Sequence, residues 1–274
     1  IISILSMIPD YKIPYGKQNI NKNDINSVIR VLKSNLITQG PLVPLFENKI
    51  CKFVSAKHAV AVNSATSALH IACLALGLGK NDILWTVPNS FVASSNCGLY
   101  CGAKIDFVDI DPLTWNISIE KLEEKLKISK KNNKLPKILV SVHFAGQPTL
   151  QEKIKKLSNK YGFFIIEDAS HSLGASRNSI KVGSCKWSDL TIFSFHPVKM
   201  ITTGEGGMAL TNSKKIYSKL IMFREHGITR DPELISNKKK GAFYKSLGRS
   251  PLFEQQMLGY NYRMTDISAA LGIS

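Results

Sequence analysis

Two hydrophobic patterns alternate along the chain. Short apolar runs recur near Ala59, Ile83, Ile105, Ile138, Phe163, Leu190 and Met208. Each is too short for a helix and reads as a buried strand. Between them lie longer segments with polar faces, predicting helices that begin near Ala65, Ser90, Ser118, Leu150 and Ser213. Ahead of the first strand the pattern predicts a helix near Asp24 to Ser34, a turn at Thr38-Gln39-Gly40-Pro41, and a second helix through about Phe53. Strands alternating with helices predict an α/β fold whose mostly parallel sheet is covered on both faces. No internal repeat is evident. Ser129 to Pro136 reads as a Lys/Asn-rich surface connection, and Thr229 to Gln256 as a polar, basic substrate or partner loop.

The chemistry-bearing residues cluster where strands end, the edge at which open α/β sheets bind ligands. In Ser194 through Gly207, a strand end, one lysine (Lys199) and a glycine-rich turn suit a Schiff base to pyridoxal phosphate. Phe163-Phe164-Ile165-Ile166-Glu167-Asp168 places Asp168 at a strand's carboxyl end, where it can pair with a protonated pyridine nitrogen or cap a following helix. Asn63-Ser64-Ala65-Thr66-Ser67-Ala68-Leu69 starts a helix directly after a strand. Its free amides suit an anion such as a phosphate, and equally an ordinary capped start. Phe91, after Thr86-Val87-Pro88-Asn89-Ser90, can stack on a flat ring or fill a core. Each motif alone is ambiguous; their joint order favours a cofactor site.

These motifs, with Glu167-Asp168-Ala169-Ser170-His171-Ser172-Leu173-Gly174-Ala175 and Gly259-Tyr260-Asn261-Tyr262-Arg263-Met264-Thr265-Asp266, resemble the DegT family of fold-type I, pyridoxal-phosphate-dependent sugar aminotransferases. A narrower resemblance, in His196-Pro197-Val198-Lys199, His226 through Pro232 and Glu254 through Arg263, is to the branch that serves pseudaminic acid synthesis. The resemblance implies a three-layer α/β/α large domain over residues 1–250 and the start of a truncated C-terminal region over 251–274, with the small C-terminal domain largely absent. It implies that Lys199, Asp168 and His171 are catalytic: Lys199 as linkage and general base, Asp168 as partner of the ring nitrogen, and His171, one helical turn on, lining the site. Ser64, Ala65, Thr66 and Ser194 would hold the phosphate and Phe91 would stack on the ring. Asn261 would reach the phosphate in a neighbouring subunit, as in a homodimer with a shared site. The implied reaction moves an amino group from L-glutamate to C4 of a UDP-linked 4-keto-6-deoxy-N-acetylhexosamine. A related 4-keto nucleotide sugar, or a catalytically silent cofactor-binding or regulatory role, are the alternatives.

Composition narrows the rest. With 274 residues, 44% of them apolar, the chain can bury a sizeable core. No run approaches the roughly 20 apolar residues of a membrane helix, and Ile1 through Ile8 is a poor signal peptide. Five cysteines without a C-x-x-C pair fit a reduced cytoplasm and no metal site. The net charge of +16 raises nucleic acid as a partner. The basic runs Lys121 to Lys137 and Lys238 to Arg249 have little aromatic interleaving, which favours a solvated surface, with Arg224, Arg230 or Lys245 available to a sugar diphosphate. Glu205-Gly206-Gly207 lacks the G-x-x-x-x-G-K-[ST] spacing and no G-x-G-x-x-G follows a strand, disfavouring a nucleotide hydrolase or dehydrogenase; the glycines are expected to bring backbone close to the cofactor. His143 and His196 lack a second ligand at suitable spacing and are expected to make polar or substrate contacts.

Overall fold

The computed structural model describes residues 16–231, 233–236 and 253–274. Two helices, α1 (Lys22–Leu32) and α2 (Leu42–Val54), precede β1 (His58–Val62). The α/β alternation follows: α3 (Ala65–Ala75), β2 (Ile83–Thr86), α4 (Ala93–Tyr100), β3 (Lys104–Phe107), α5 (Ile119–Lys131), β4 (Ile138–Val142), α6 (Gln151–Tyr161) and β5 (Phe164–Asp168). A small hairpin, β6 (Ser176–Arg177) with β7 (Ile180–Lys181), leads into β8 (Leu190–Ser194), β9 (Gly207–Thr211) and α7 (Lys214–Arg224). The two-stranded pair β10 (Ile228–Thr229) and β11 (Glu254–Gln255), and then α8 (Asp266–Ile273), complete the described elements.

One seven-stranded sheet carries the fold in the order β1-β9-β8-β5-β4-β2-β3. β9 pairs antiparallel with both of its neighbours, and the remaining pairings are parallel. Parallel neighbours need crossovers; helices supply them except between β5 and β8, where turns and the β6–β7 hairpin make the connection, and every strand of this sheet but the exposed edge β3 is mostly buried. Side-chain alternation splits the core in two. Val60 and Val62 of β1, Leu190 and Ile192 of β8, and Ala209 of β9 pack into one cluster with α3 to α7. Ala59 and Ala61, Phe193, Met208 and Leu210 from the same strands pack into the other, beneath Phe46 and Ile50 of α2 and Ala269 of α8.

The seven strands stand where the hydrophobic runs predict them. Three local expectations change. α4 begins at Ala93 rather than at Ser90, because Ser90, Phe91 and Val92 form the turn that enters it. The connection expected from Ser129 is still helix through Lys131, capped at Asn132. No helix follows Asp168: residues 169–174 make tight turns, so the carboxylate caps no helix and His171 lies in a turn. Much of Thr229 to Gln256, with the run Lys238 to Arg249, Lys245 and the expected boundary at 250–251, lies outside the described residues.

The chain near Asp266 is tied to the turn ahead of α2 and to the end of β1. Asp266, buried at the start of α8, accepts from the backbone N–H groups of Gly40 (2.7 Å) and Leu42 (2.8 Å), fixing the turn ahead of α2. Asn63 N–H donates to the Tyr262 carbonyl at 2.9 Å, laying residues 260–263 beside the end of β1.

Candidate active site

The carboxyl ends of β1, β5 and β8 and the first residue of β9 meet at one edge of the sheet. Register brings them together: Gly207 pairs with Val62 on one side and with Ser194 on the other, while Asp168 pairs with Ile192. Gly207 then lies flat against the start of α3. A Cβ at Gly207 would collide with Ser64 C and Ala65 N, so only glycine lets the sheet and the helix start approach this closely. The close approach expected of the glycine turn is therefore made to the chain's own helix start.

That helix start supplies the free backbone amides of the site. Ser64, extended at φ −164°, caps α3 by accepting from Ser67 N–H at 3.1 Å. The first amides of a helix have no intrahelical partner, and Ser64 caps neither Ala65 nor Thr66. Their N–H groups, at the positive end of the helix dipole, suit a dianion. Ser194, half-buried across Gly207, adds a hydroxyl to the same corner.

Asp168, on the next strand, is 6% exposed. Its Oδ2 accepts from Ser94 Oγ at 2.6 Å, and its Oδ1 accepts from Ser170 Oγ at 2.6 Å and Ser170 N–H at 3.2 Å. Lys199 sits in the turn after β8, its N–H donating to the His196 carbonyl at 2.9 Å. Its Nζ and His171 Nε2 are 2.6 Å apart. Burial holds the Lys199 amine below the usual lysine range, and the charge of Asp168 partly restores it. Burial and then the neighbouring Lys199 charge lower His171 likewise, favouring its neutral imidazole. A protonated Nζ donates to Nε2, and a neutral one accepts from an imidazole N–H, so the pair can pass a proton in either direction.

Phe91 stands 77% exposed at the turn entering α4, more open than a core residue. Asn261 is exposed on the segment beside β1, bridged to Glu225. The edge thus assembles Ser64, Ala65, Thr66, Ser194, Lys199, His171 and Asp168 from motifs far apart in sequence. These groups fit pyridoxal phosphate: a helix start for the phosphate, a fixed carboxylate for the ring nitrogen, and an amine of lowered proton affinity for the carbonyl carbon.

Other candidates fall elsewhere. Arg224 is paired inside the protein, its Nη1 2.6 Å from Glu47 Oε1 and 3.1 Å from the Ala61 carbonyl, so its charge joins α7 to α2 and β1 and is not free for a diphosphate. Burial pushes the Glu47 carboxyl up, and Arg224 counters this. His143 is wholly buried: Nδ1 accepts from Thr149 N–H at 3.0 Å and Nε2 lies 3.6 Å from Glu167 Oε2, an ion-pair distance beyond a hydrogen bond. It is an internal residue with no path to a substrate. His196 lies exposed, its Nε2 4.0 Å from Glu205 Oε1. Among the described residues no cluster of three or more His, Cys, Asp or Glu side chains suits a metal, and no helix is long and apolar enough to cross a membrane. Motif reading missed Ser94 and Ser170, whose only signal is a hydroxyl at a helix start and another two residues past a strand-end acid.

An α/β sheet with a lysine, an acid and a helix start at one edge is the arrangement of the fold-type I aminotransferase fold. The chain belongs to the DegT/DnrJ/EryC1/StrS aminotransferase family, whose profile matches residues 18–274. It is 42% identical over 262 residues to the UDP-4-amino-4,6-dideoxy-N-acetyl-beta-L-altrosamine transaminase of Campylobacter jejuni (strain 81-176), an alignment covering 96% of this chain and 63% of that protein. Among solved structures it is similar to Helicobacter pylori PseC, an aminotransferase involved in the biosynthesis of pseudoaminic acid, with TM-score 0.80 and 33% identity over 95% of this chain and 64% of that one. It is also similar to Spr1654 of Streptococcus pneumoniae in its PMP form, with TM-score 0.81 and 26% identity over 95% of this chain and 66% of that one. The chain therefore spans less than two thirds of the length of the curated relatives it matches.

Proposed function

We propose that this chain carries the pyridoxal-phosphate site of an aminotransferase that moves an amino group from L-glutamate to C4 of a UDP-linked 4-keto-6-deoxy-N-acetylhexosamine, as in pseudaminic acid synthesis. The observation that carries the reading is the Lys199–His171 pair, 2.6 Å apart and beside Asp168, at the sheet edge. Pyridoxal phosphate, when bound, supplies an electron sink that makes a proton next to nitrogen removable. Every other task falls to this chain. Lys199 Nζ would anchor the cofactor and, when free, would serve as the base that holds and returns a proton. His171 Nε2 holds or returns that proton. Asp168 would partner the ring nitrogen and favour its protonated form, while Ser64, Ala65, Thr66 and Ser194 would hold the phosphate and Phe91 would stack on the ring.

The choice of UDP-sugar rests on the Campylobacter and Helicobacter relatives, and the cofactor on the family and on the Streptococcus relative solved in PMP and PLP forms. We assign Asn261 to the phosphate of a second subunit, which its exposure supports, and so infer a homodimer. Five cysteines without disulfides support a cytoplasmic setting. The test supplies purified protein with pyridoxal phosphate, L-glutamate and the UDP-4-keto sugar and follows products by mass spectrometry. A UDP-4-amino sugar formed together with 2-oxoglutarate supports the reading. 2-Oxoglutarate production without an aminated UDP-sugar points to the related sugars, and neither product removes the enzymatic assignment.

A further inference from the structure

A carboxylate that must meet a ring nitrogen is useful only if its rotation is fixed, because Asp turns about two single bonds. Ser170 supplies a local hold on Oδ1, a turn of the kind aspartate makes with its own backbone. The hold on Oδ2 comes from another element. Ser94, wholly buried in the first turn of α4 and 74 residues away in sequence, donates its hydroxyl hydrogen to Oδ2 at 2.6 Å. A hydroxyl has one hydrogen, so Ser94 Oγ must accept from Ser90 Oγ, 2.7 Å away. The chain of donation therefore runs from Ser90 through Ser94 to Asp168. The Ser94 N–H also donates to the Phe91 carbonyl at 3.1 Å, so the turn that presents the exposed ring is fastened to the acid.

We propose that Ser94, supported by Ser90, is a positioning residue: it fixes the Asp168 carboxylate toward the cofactor's ring nitrogen and joins it to the turn bearing Phe91. The inference rests on the cofactor reading above and adds to it a residue to which the motifs assign no role. Losing one hydrogen bond to a charged carboxylate predicts roughly tenfold weaker cofactor binding. A ring nitrogen held cationic makes the Lys199-linked nitrogen release its proton at lower pH. Loosening Asp168 therefore moves the pH midpoint of the visible absorbance band upward, which a purely structural role for Ser94 would not do.

The experiment titrates wild type, Ser94→Ala, Ser94→Thr, Ser90→Ala and the control Ser95→Ala with pyridoxal phosphate, recording Kd and the band's pH midpoint. Expected for Ser94→Ala are a Kd about tenfold higher and a midpoint raised by roughly half a unit or more, both restored by threonine and untouched in Ser95→Ala. Ser90→Ala, which keeps the Ser94 hydroxyl but frees it to turn, shifts both by less. A folded Ser94→Ala protein with wild-type Kd and midpoint overturns the inference; if that variant fails to fold, unshifted values in Ser90→Ala do so. A wild-type chain without any Lys199-dependent band overturns the cofactor reading and this inference together, whereas a wild-type band reproduced by Ser94→Ala overturns this inference alone.

Discussion

Glu167 and Asp168 are neighbours on β5, yet strand alternation sends them to opposite faces of the sheet and to different tasks. Glu167 is enclosed: Oε1 accepts from Gln151 Nε2 at 2.6 Å, Oε2 accepts from Thr191 Oγ1 at 2.9 Å, and His143 stands behind. Burial alone would raise its carboxyl, but these neighbours outweigh burial and hold it below its ordinary value of 4.5. Every lone pair it offers points at protein. Asp168 is almost as buried, yet its donors, Ser94 and Ser170, come from the two turns that border the sheet edge. One acid ties β5 to α6 and β8, and the other is fastened to α4 and to the turn after β5, at the edge where the cofactor site is proposed. A buried carboxylate is thus read by what its donors belong to, since burial alone does not distinguish the pair.

Three substitutions sharpen or break this contrast. The largest effect is expected at Asp168→Asn, which keeps size and removes charge: turnover falls on the order of 10²–10³-fold, while stability falls less than at Glu167 because the Ser94 and Ser170 hydroxyls can turn to accept from the amide, checked by steady-state rates and a melting curve. Glu167→Gln inverts the result. An amide there sets its one NH2 group against either Gln151 or Thr191 and removes the charge beside His143, costing about 2–4 kcal/mol by urea unfolding, with turnover per folded molecule preserved. A Glu167→Gln protein that kept its stability and lost its turnover would erase the distinction.

The pH dependence follows from the same carboxyl. Its folded pKa lies below the ordinary 4.5, so its contribution is complete above that value and is lost as pH falls through the lowered one. Unfolding midpoints measured across this window should fall less steeply in Glu167→Gln than in wild type. The smallest effect is expected at Gly207→Ala, where the new Cβ meets Ser64 and Ala65 and pushes α3 from the sheet. A stability loss of about 1–3 kcal/mol with weaker cofactor binding is predicted, the latter because the displaced amides belong to the phosphate corner.

The contrast also marks what the sequence conveys. Strands near Ala59, Ile138 and Phe163 are legible because burial on both faces demands continuous apolar runs, and Lys199, Asp168 and the Ser64 helix start because each follows such a run. The separate tasks of Glu167 and Asp168 are not legible: two adjacent acids look alike until the neighbours from α4, α6 and β8 are in place. Distance along the chain hides the rest. Ser94 reaches Asp168 across 74 residues, and Arg224 reaches Glu47 across 177, which is how an arginine offered to a diphosphate turns out to be an internal tie. The turn at His171 eludes helix periodicity because Ser170 and Asp168 compete locally for the backbone.

The most direct test of the account is the visible absorbance spectrum of the purified chain with pyridoxal phosphate, before and after L-glutamate, for wild type and Lys199→Ala. The account predicts a band in wild type that L-glutamate converts to the pyridoxamine form's shorter wavelength, and no such band in folded Lys199→Ala, whose turnover drops at least ~10³-fold. A folded wild-type chain without the band, or a band that survives in Lys199→Ala, would contradict it.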